Sequence, residues 1–265
     1  IAASTMKIEA STLQSIASGQ INMLQKLKRN DEVPDLVDRT LKIAKEKFGK
    51  DDDEYLNLLN SLAATLRSER YYKAAANLYS KSVEINEKKH SVHSEEYINA
   101  LVELGDNYHQ GHDYSNATDC YTKALTSAES NLEHSSQSYD NLLKSISDNY
   151  YYAHNYARAE HFYKQRLENL QRATEKDETA IANAWYDLGA NYLTWQKHKD
   201  AVAAYKKAVD LSRRSDGEDS IDFAYNLWAL AKAEGQAGDR AGEAEHLRQA
   251  MTSYEVDEDE ISVMN

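Results

Sequence analysis

A pattern that returns every 42 residues runs through this chain and limits the folds open to it. In the stretch LGDNYHQGHDYSNATDCYTKAL, residues 104–125, small or flat side chains fall where two packed helices must approach closely. Steps of 42 residues find the same types again, in the columns Ala75, Ala117, Ala159, Ala201 and Tyr79, Tyr121, Tyr163, Tyr205. One supersecondary unit copied along a chain is the sequence mark of a solenoid, whose stacked repeats share a continuous core.

The spacing of apolar residues inside each repeat is helical. Tyr55, Leu59, Leu62 and Leu66, for example, step by four, three and four residues and so share one face of a helix. The chain has a single proline and 9 glycines, and it lacks the β-branched runs and frequent turn residues that strands need. We therefore predict an all-α solenoid of about six helical hairpins.

The repeats and a tail can be placed from the same columns. The predicted repeats run over roughly 13–50, 51–92, 93–134, 135–176, 177–218 and 219–254, followed by an acidic tail over 255–265. Residues suited to cap the first helix of a repeat also recur every 42 positions, at Asp51, His93, Ser135, Asp177 and Asp219. Four of these five types are good N-caps, and Ser94 is the alternative to His93.

The first repeat is degenerate, as expected for a repeat whose outer face has no neighbour. Its first helix is predicted over residues 13–29. The pair Asn30-Asp31 is a candidate N-cap for the second helix, and Pro34 falls in the first turn, where its missing N–H costs little. Gly49 is predicted to end that helix.

The last repeat and the tail are unusually polar. Glu243 replaces the small residue of the second helix and Glu234 replaces a tyrosine, which suits a repeat that caps the array. The tail supplies five of the negative charges in a formal net charge of -13, which leaves about -8 for the array. Such a balance disfavours nucleic acid and anionic membranes as partners and fits a protein that binds neutral or basic peptide.

The chain carries no apolar run of the length needed to span a membrane. It opens with Ile1 rather than methionine, so export after removal of a signal stays open beside our preferred cytoplasmic location. The single cysteine, Cys120, has no internal partner and lies between alanine-type packing positions. We expect it to be a half-buried structural thiol.

Chemistry other than binding finds little support in the residue pattern. His90 and His93 flank a loop, and His109 and His112 flank a turn, but neither pair has a third ligand at a zinc spacing. We find no phosphate-binding loop and no nucleophile–base pair. The sequence therefore predicts no metal, no cofactor and no catalytic activity.

The order of leucine, small residue, tyrosine, alanine, tyrosine and alanine in residues 104–124 resembles the tetratricopeptide repeat, as do the turns GHDY and AHNY. That repeat usually has 34 residues; a period of 42 suits HEAT or armadillo units by length, but those lack this small-residue pattern. The longer variant, as in EYLNLLNSLAATLRSERYYKAAANLYSKSVEI (Glu54–Ile85), is similar to the repeats of kinesin light chain. The resemblance covers about residues 13–254. It implies a right-handed superhelix whose first helices line the concave face.

Four asparagines stand in one column of the first helices, at Asn57, Asn99, Asn141 and Asn183. Asparagine is a mediocre helix former, so its recurrence in mid-helix suggests a use. The side-chain amide both donates and accepts, and a ladder of amides suits the N–H and C=O groups of an extended peptide. At about 0.5–1.5 kcal/mol for each hydrogen bond, such a grip is modest and tolerant of sequence.

We therefore predict a peptide-binding face on the first helices, with specificity supplied by residues three, seven and ten positions after each asparagine. The candidate contact residues are Asn57, Asn60, Arg67, Asn99, Asp106, His109, Asn141, Lys144, Asp148, Tyr151, Asn183, Tyr186, Tyr225 and Trp228. The face is expected to be polar and acidic in its middle. Toward its C-terminal end it is aromatic, and there it offers a pocket for an apolar anchor.

The asparagine column also has a structural interpretation, in which the amides bridge adjacent first helices or cap a bend between repeats. A second column, Asn107, Asn149 and Asn191, lies one helical turn before each hairpin turn. We expect it to be structural and to face the second helix of its own hairpin. The tyrosine column of the second helices is expected to belong to the core.

Taken together, these patterns predict a non-enzymatic scaffold or adaptor that binds a peptide segment of a partner in the concave groove. The alternative is a structural assembly subunit that self-associates or docks in a larger complex through its end repeats or convex face. Folding of the acidic tail onto the array is a regulatory variant of the first hypothesis. The partner and the oligomeric state stay open.

Overall fold

A computed structural model describes residues 9–49, 52–129, 137–173 and 176–253 of the chain. Over these residues it contains twelve α-helices, a short 3-10 turn at Asn30–Glu32 and no strand. The helices are α1 Ala10–Lys26, α2 Val33–Phe48, α3 Asp53–Ser68, α4 Tyr72–Lys89, α5 Glu95–Gln110, α6 Tyr114–Glu129, α7 Gln137–Tyr152, α8 Tyr156–Arg172, α9 Glu178–Thr194, α10 His198–Ser215, α11 Ile221–Ala237 and α12 Arg240–Ser253.

The chain divides into two compact units, Ile1–Leu132 and Glu133–Asn265. In the first unit α3 packs on α4, α5 on α6, and α4 on α5, with α1 and α2 against α3. In the second unit every helix from α7 to α12 packs on the next one in the chain. Each unit is thus a stack of three helical hairpins, and the predicted all-α solenoid class is confirmed.

The repeating columns form the core of both units, as predicted. The tyrosine column of the second helices is 1–3 % exposed at all four positions, and the facing small residues are fully buried or nearly so. The fit leaves no room for a larger residue: a Cβ at Gly105 would lie 2.6 Å from the ring of Tyr121, and one at Gly189 would lie 2.9 Å from that of Tyr205. Glycine at these two positions lets the helices of a hairpin touch.

The turns of the six hairpins share one backbone conformation. The residue one or two positions after the first helix has a left-handed φ of 58–92°, at Lys28, Arg70, His112, His154, Gln196 and Gly238. These positions are 42 residues apart. The next N–H in each turn donates to the carbonyl five residues back at 2.7–2.9 Å, the pattern of the Schellman motif. Glycine occupies this strained position only in the last hairpin among those described.

The caps of the first helices follow the prediction in two hairpins and depart from it in two. Asp177 accepts from the Ala180 N–H at 2.9 Å, as predicted, and Ser94, the alternative to His93, caps α5. The cap of α11 is Ser220 rather than Asp219, and Asp52 caps α3, one residue after the predicted Asp51. In each case the two neighbouring residues are about equally able to cap a helix. The residue types therefore cannot predict which of the two becomes the N-cap. Asp51, Ser135 and the tail over 255–265 lie outside the described residues.

The first repeat also differs from the prediction in detail. Helix α1 ends at Lys26 rather than residue 29, because Lys28 takes the left-handed conformation of the turn. The predicted cap Asn30-Asp31 is wrong: both residues lie in the 3-10 turn, and α2 follows Glu32 without a side-chain cap. Pro34 in the first turn of α2 and Gly49 at its end are confirmed.

Cys120 lies in α6 between the buried Ala117 and Ala124 and is itself 8 % exposed. Burial raises the pKa of its thiol to about 11. The reactive thiolate is therefore scarce near neutral pH, in agreement with a structural role and with deeper burial than predicted. In the described parts of the chain, no helix is both long and apolar enough to cross a membrane.

The left-handed turns lead to a stability prediction. Gln196 is exposed and has φ 62°, a conformation that costs a residue with a Cβ about 1 kcal/mol or more. We expect Gln196→Gly to raise the free energy of unfolding by about 0.5–1 kcal/mol, because relief of that strain exceeds the extra entropy of a glycine in the unfolded chain. Urea denaturation followed by circular dichroism measures the change. Gln196→Ala keeps the Cβ and should give no gain, and an equal gain for both variants would contradict the argument.

Candidate functional site

The predicted asparagine column lies on the first helices of both units and faces solvent. Asn57 on α3 and Asn99 on α5 are exposed in the first unit, as are Asn141 on α7 and Asn183 on α9 in the second. Tyr225 of α11 holds the same column position and is 45 % exposed. We call this column, with the residues three, seven and ten positions after it, the first-helix face of each unit. Its role in peptide binding stays a prediction.

In the first unit, charged residues of the first-helix face already have partners within the chain. The Arg67 guanidinium pairs with the Glu103 carboxylate at 2.9 Å and lies 5.3 Å from the centre of the Tyr79 ring. The Tyr121 hydroxyl donates to Asp106 at 2.6 Å, and burial raises the pKa of that carboxyl despite this hydrogen bond. Both side chains are thus already engaged within the unit before any peptide binds.

The remaining predicted contacts of this unit are more open. Asn60 is half-buried on α3, one turn after the exposed Asn57. His109 near the end of α5 meets the ring of Tyr114 edge to face, with centroids 5.5 Å apart. The first unit therefore presents amides and a histidine, but it shows no cluster of apolar side chains among the predicted contacts.

In the second unit, the predicted contacts on α7 are joined to their neighbours. Asp148 accepts from the Tyr163 hydroxyl at 2.7 Å and pairs with Lys144 at 2.7 Å, so both of its oxygens are engaged. The Tyr151 hydroxyl lies 2.9 Å from that of Thr194 on α9. Asn141 accepts from the Gln137 amide at 3.0 Å, a bond within α7 rather than between helices.

Aromatic side chains form a row on α9 and α11 of the same unit. The rings of Tyr186 and Tyr225 have centroids 5.6 Å apart, and Tyr225 and Trp228 are also 5.6 Å apart. The Lys232 ammonium lies 5.2 Å from the centre of the Trp228 ring and closes the end of the row. The structure thus brings together the three aromatic residues predicted near the C-terminal end of the face. We call them the aromatic row.

A buried ionic cluster lies beside the aromatic row, and the sequence analysis missed it. The Arg166 guanidinium donates two hydrogen bonds to Asp140 at 2.9 and 3.0 Å and a third to Asp187 at 3.0 Å. The side chains of Arg166 and Asp140 are only 6 % and 5 % exposed. Because the three residues come from α8, α7 and α9, the cluster joins two hairpins.

A signal for this cluster is present in the repeat columns. Arg166 stands where the neighbouring repeats have Ala124 and Ala208, both fully buried. Asp140 stands in a column that holds the buried Ile98 and Ala182. In this hairpin, two residues of opposite charge replace apolar residues that are buried in the other repeats. Such a replacement indicates an ion pair, because burial of an unpaired charge costs several kcal/mol of folding free energy.

Asp187 is the titratable group of the cluster that reaches the first-helix face, with 22 % of its side chain exposed. Burial raises the pKa of its carboxyl to about 6, against the opposing effects of Lys144 and Arg166. Lys232 supplies a positive charge at the far end of the aromatic row. Around Asp187 itself, three carboxylates and two cations meet, which gives this end of the row a net negative charge when all are ionised. This charge suits a cationic or N–H donor group of a ligand.

The second asparagine column is structural, as predicted, but its partner is different. Asn107 and Asn191 are fully buried, and their amides donate to the carbonyls of Tyr72 and Tyr156 at 2.9 and 3.1 Å. Both acceptors lie at the start of the second helix in the preceding hairpin, not in the same hairpin as predicted. The column links consecutive repeats because these carbonyls face the next first helix. Asn149 is equally buried.

Metal-ligating side chains do not gather in the described ranges, where no group of three histidine, cysteine, aspartate or glutamate residues could hold an ion.

Comparison with known proteins gives matches to one family. The family described as Tetratricopeptide repeat matches residues 90–172, and a second description of the same repeat matches residues 182–215. No curated protein sequence is significantly similar to the chain.

Solved structures with the same fold include proteins of kinesin-light-chain type. A Podosopora anserina protein described as a kinesin light chain with nearly identical TPR-like repeats is 15 % identical, covers 75 % of this chain and 94 % of its own, and has a TM-score of 0.66. BtubC (BKLC) from P. vanneervenii is 16 % identical over 92 % of this chain and 90 % of its own, with a TM-score of 0.65. YrrB, a TPR protein with an unusual peptide-binding site, is 16 % identical over 80 % and 91 %, with a TM-score of 0.51.

The ionic cluster yields a pH-dependent prediction. A carboxyl whose pKa rises from 3.8 to about 6 on folding destabilises the folded state once ionised. The cost is absent below pH 3.8, grows as the pH rises toward 6 and is complete above it. We expect Asp187→Asn, whose amide oxygen still accepts from Arg166, to raise the free energy of unfolding by about 1–3 kcal/mol at pH 7.5. The gain should vanish near pH 4.

Denaturant titrations of both proteins at the two pH values measure this difference. Asp140→Asn is the matched control: it breaks a bidentate buried pair and should destabilise the protein by about 3–5 kcal/mol at pH 7.5. A loss of stability for Asp187→Asn at pH 7.5 would mean that attraction to Arg166 outweighs burial.

Proposed function

Because the chain is a tetratricopeptide-repeat protein with repeats like those of kinesin light chain, we propose that it is a non-enzymatic adaptor that holds a peptide of a partner on its first-helix face. Proteins of this fold are generally scaffolds for protein–protein interaction. YrrB, which shares the fold, is described as having a peptide-binding site.

The observation that carries the proposal is the aromatic row of the second unit. Tyr225 stands in the exposed column of the first helices and leaves 45 % of its own surface exposed, so its ring is open to a ligand. Tyr186 and Trp228 on either side are half-buried and hold its ring in place. A rigid, partly desolvated group of tyrosine and tryptophan is the typical anchor site of an interface, because it buries much area at little cost in side-chain entropy.

Polar groups next to the row supply orientation. The exposed amides of Asn141 and Asn183 lie on the neighbouring first helices and can each exchange hydrogen bonds with the backbone of an extended peptide. Asp187 offers a carboxylate beside Tyr186 and favours a cationic side chain. The ligand expected from these groups is an extended peptide with an apolar residue on the aromatic row and a basic residue near Asp187.

Selection from a displayed peptide library, followed by calorimetric titration of a selected peptide, tests the proposal. We expect Tyr225→Ala to weaken binding at least tenfold, because it removes the centre of the aromatic anchor. Asn141→Ala/Asn183→Ala should weaken binding of the same peptide about 5- to 150-fold, through the loss of two amide contacts of about 0.5–1.5 kcal/mol each.

Met251→Ala is the matched control, since this residue is 52 % exposed on α12 of the same unit and lies outside the face. It should leave the affinity unchanged. Equal binding by the wild type and Tyr225→Ala would remove the aromatic row from the mechanism. If the double asparagine variant binds the peptide as tightly as the wild type does, the asparagine column is structural and does not bind peptide.

A second candidate function is self-association through the first repeat, and the exposed apolar residues of α1 favour it. Ile16 and Met23 on α1 and Leu27, the residue just after it, are 52, 62 and 56 % exposed and lie along one side of the helix. An apolar stripe of this kind on an exposed helix face suits contact with a second copy of the chain.

Light scattering over a range of protein concentrations tests this alternative. Self-association through α1 predicts a mass that rises with concentration and returns to that of a monomer in Met23→Glu, which places a charge in the stripe. Glu46→Gln, on α2, changes charge elsewhere in the same unit and should not alter the mass. A constant monomer mass for the wild type would exclude this function at the concentrations measured.

A further inference from the structure

One hairpin departs from the repeat at two core positions, and the departure opens a cleft. In four of the other five hairpins, the first helix carries a buried aromatic residue followed four positions later by a buried leucine. The pairs are Tyr55 and Leu59, Tyr97 and Leu101, Tyr139 and Leu143, and Phe223 and Leu227. Helix α9 carries Ile181 and Trp185 at these positions instead. The aromatic residue has moved by one helical turn.

The exchange changes packing in both places. Ile181 is buried but smaller than the tyrosine or phenylalanine of the other repeats, so it leaves space above it. Trp185 is too large for a site in which leucine is 0–3 % exposed, and it remains half-buried at the surface. Between α8, α9 and α10 the result is a cleft of about 660 Å³, with Ile181, Trp185 and Leu211 as its apolar lining.

This cleft is separate from the first-helix face. Ile181 and Trp185 each lie two residues from Asn183, a rotation of about 200° around an α-helix. They therefore point to the opposite side of α9 from the asparagine column, and Trp185 is turned by about 100° from Tyr186 of the aromatic row. A ligand in the cleft contacts a surface that the proposed adaptor function does not use.

The charges around the cleft favour an anionic ligand, although the chain as a whole carries a net charge of -13. Lys176, Lys207 and Arg214 border it, against the carboxylates of Glu178 and Asp210. Arg214 and Glu178 approach each other at 3.7 Å and largely offset one another.

The cations also stand at both ends of the apolar lining. The Lys207 ammonium lies 4.0 Å from the centre of the Trp185 ring at one end. Lys176 and Arg214 lie at the other end, near the start of α9. From Glu178 to Trp185 the helix rises about 10 Å, the length of roughly three residues of extended peptide. The volume is also within the range of about 300–1,000 Å³ typical of ligand sites.

We propose that this cleft binds a short peptide segment of a partner in which one aliphatic side chain is flanked on both sides by acidic residues. The aliphatic side chain packs between Trp185 and Ile181, in the space that the repeat elsewhere fills with its own aromatic ring. Acidic residues before and after it pair with Lys207 at one end and Lys176 at the other. The chain thus carries a second recognition site with a charge preference opposite to that of the first-helix face.

The variant that tests the cleft takes its two residues from other repeats of the same chain. Ile181→Tyr/Trp185→Leu restores the residues of α5 and α7, so it should fill the cleft while the helix keeps its fold. Calorimetric titration of the full chain uses the probe acetyl-Asp-Glu-Leu-Glu-Asp-amide at low salt. We expect saturable binding to the wild type and at least tenfold weaker binding to the double variant, with circular dichroism and melting temperature showing that the variant is folded.

Two further probes test the chemistry of the site. Replacement of the leucine by alanine should weaken the peptide at least fivefold, and replacement of the acidic residues by lysine should abolish binding. A peptide selected on the first-helix face should not displace the probe. The proposal is overturned if the probe binds the double variant as tightly as the wild type, or if the lysine peptide binds as tightly as the probe. It is also overturned if a peptide selected on the first-helix face displaces the probe, or if the probe shows no saturable binding up to about 1 mM.

Discussion

Contact between a tyrosine of one helix and a glycine, alanine or serine of the other sets the geometry of every regular hairpin in this protein. At Gly105 the ring of Tyr121 leaves less than a methyl group of space. The same contact also shapes the surface, because the ring passes through the hairpin and its hydroxyl emerges at the first-helix face. There Tyr121 and Tyr163 donate to Asp106 and Asp148, so two carboxylates predicted as ligand contacts are positioned by the core.

Both of the proposed binding sites lie beside positions at which the repeat is irregular. Replacement of an alanine by Arg166 and of an apolar residue by Asp140 creates the ionic cluster that fixes Asp187 beside the aromatic row. The exchange of aromatic and leucine positions at Ile181 and Trp185 opens the cleft on the other side of α9. A regular array provides helices at fixed spacing, and isolated departures from it provide distinct sites without disturbing the stack.

Much of the architecture could be predicted from the 42-residue period, because each core position occurs several times in the sequence and its residue types can be compared between repeats. The helices, the buried tyrosine column and the hairpin turns appear at the predicted places in the described residues. The caps were less certain, since Asp219 and Ser220 are equally able to accept a backbone hydrogen bond and only the backbone path selects one. The role of the exposed asparagines in binding rests on the same column argument and stays a prediction.

The sequence pattern and its repetition were sufficient to assign the helical class, the pairing of helices into hairpins and the side of each helix that enters the core. These features depend on residues within about forty positions of one another, and they recur with the repeat. Which side chains meet across hairpins depended on the packed structure. Asp187 reaches Arg166, and Asn107 reaches the carbonyl of Tyr72, through rotamers and helix offsets that no column records. Their partners lie on other helices, and the distances between those helices are set by the bulk of the whole core rather than by any one segment.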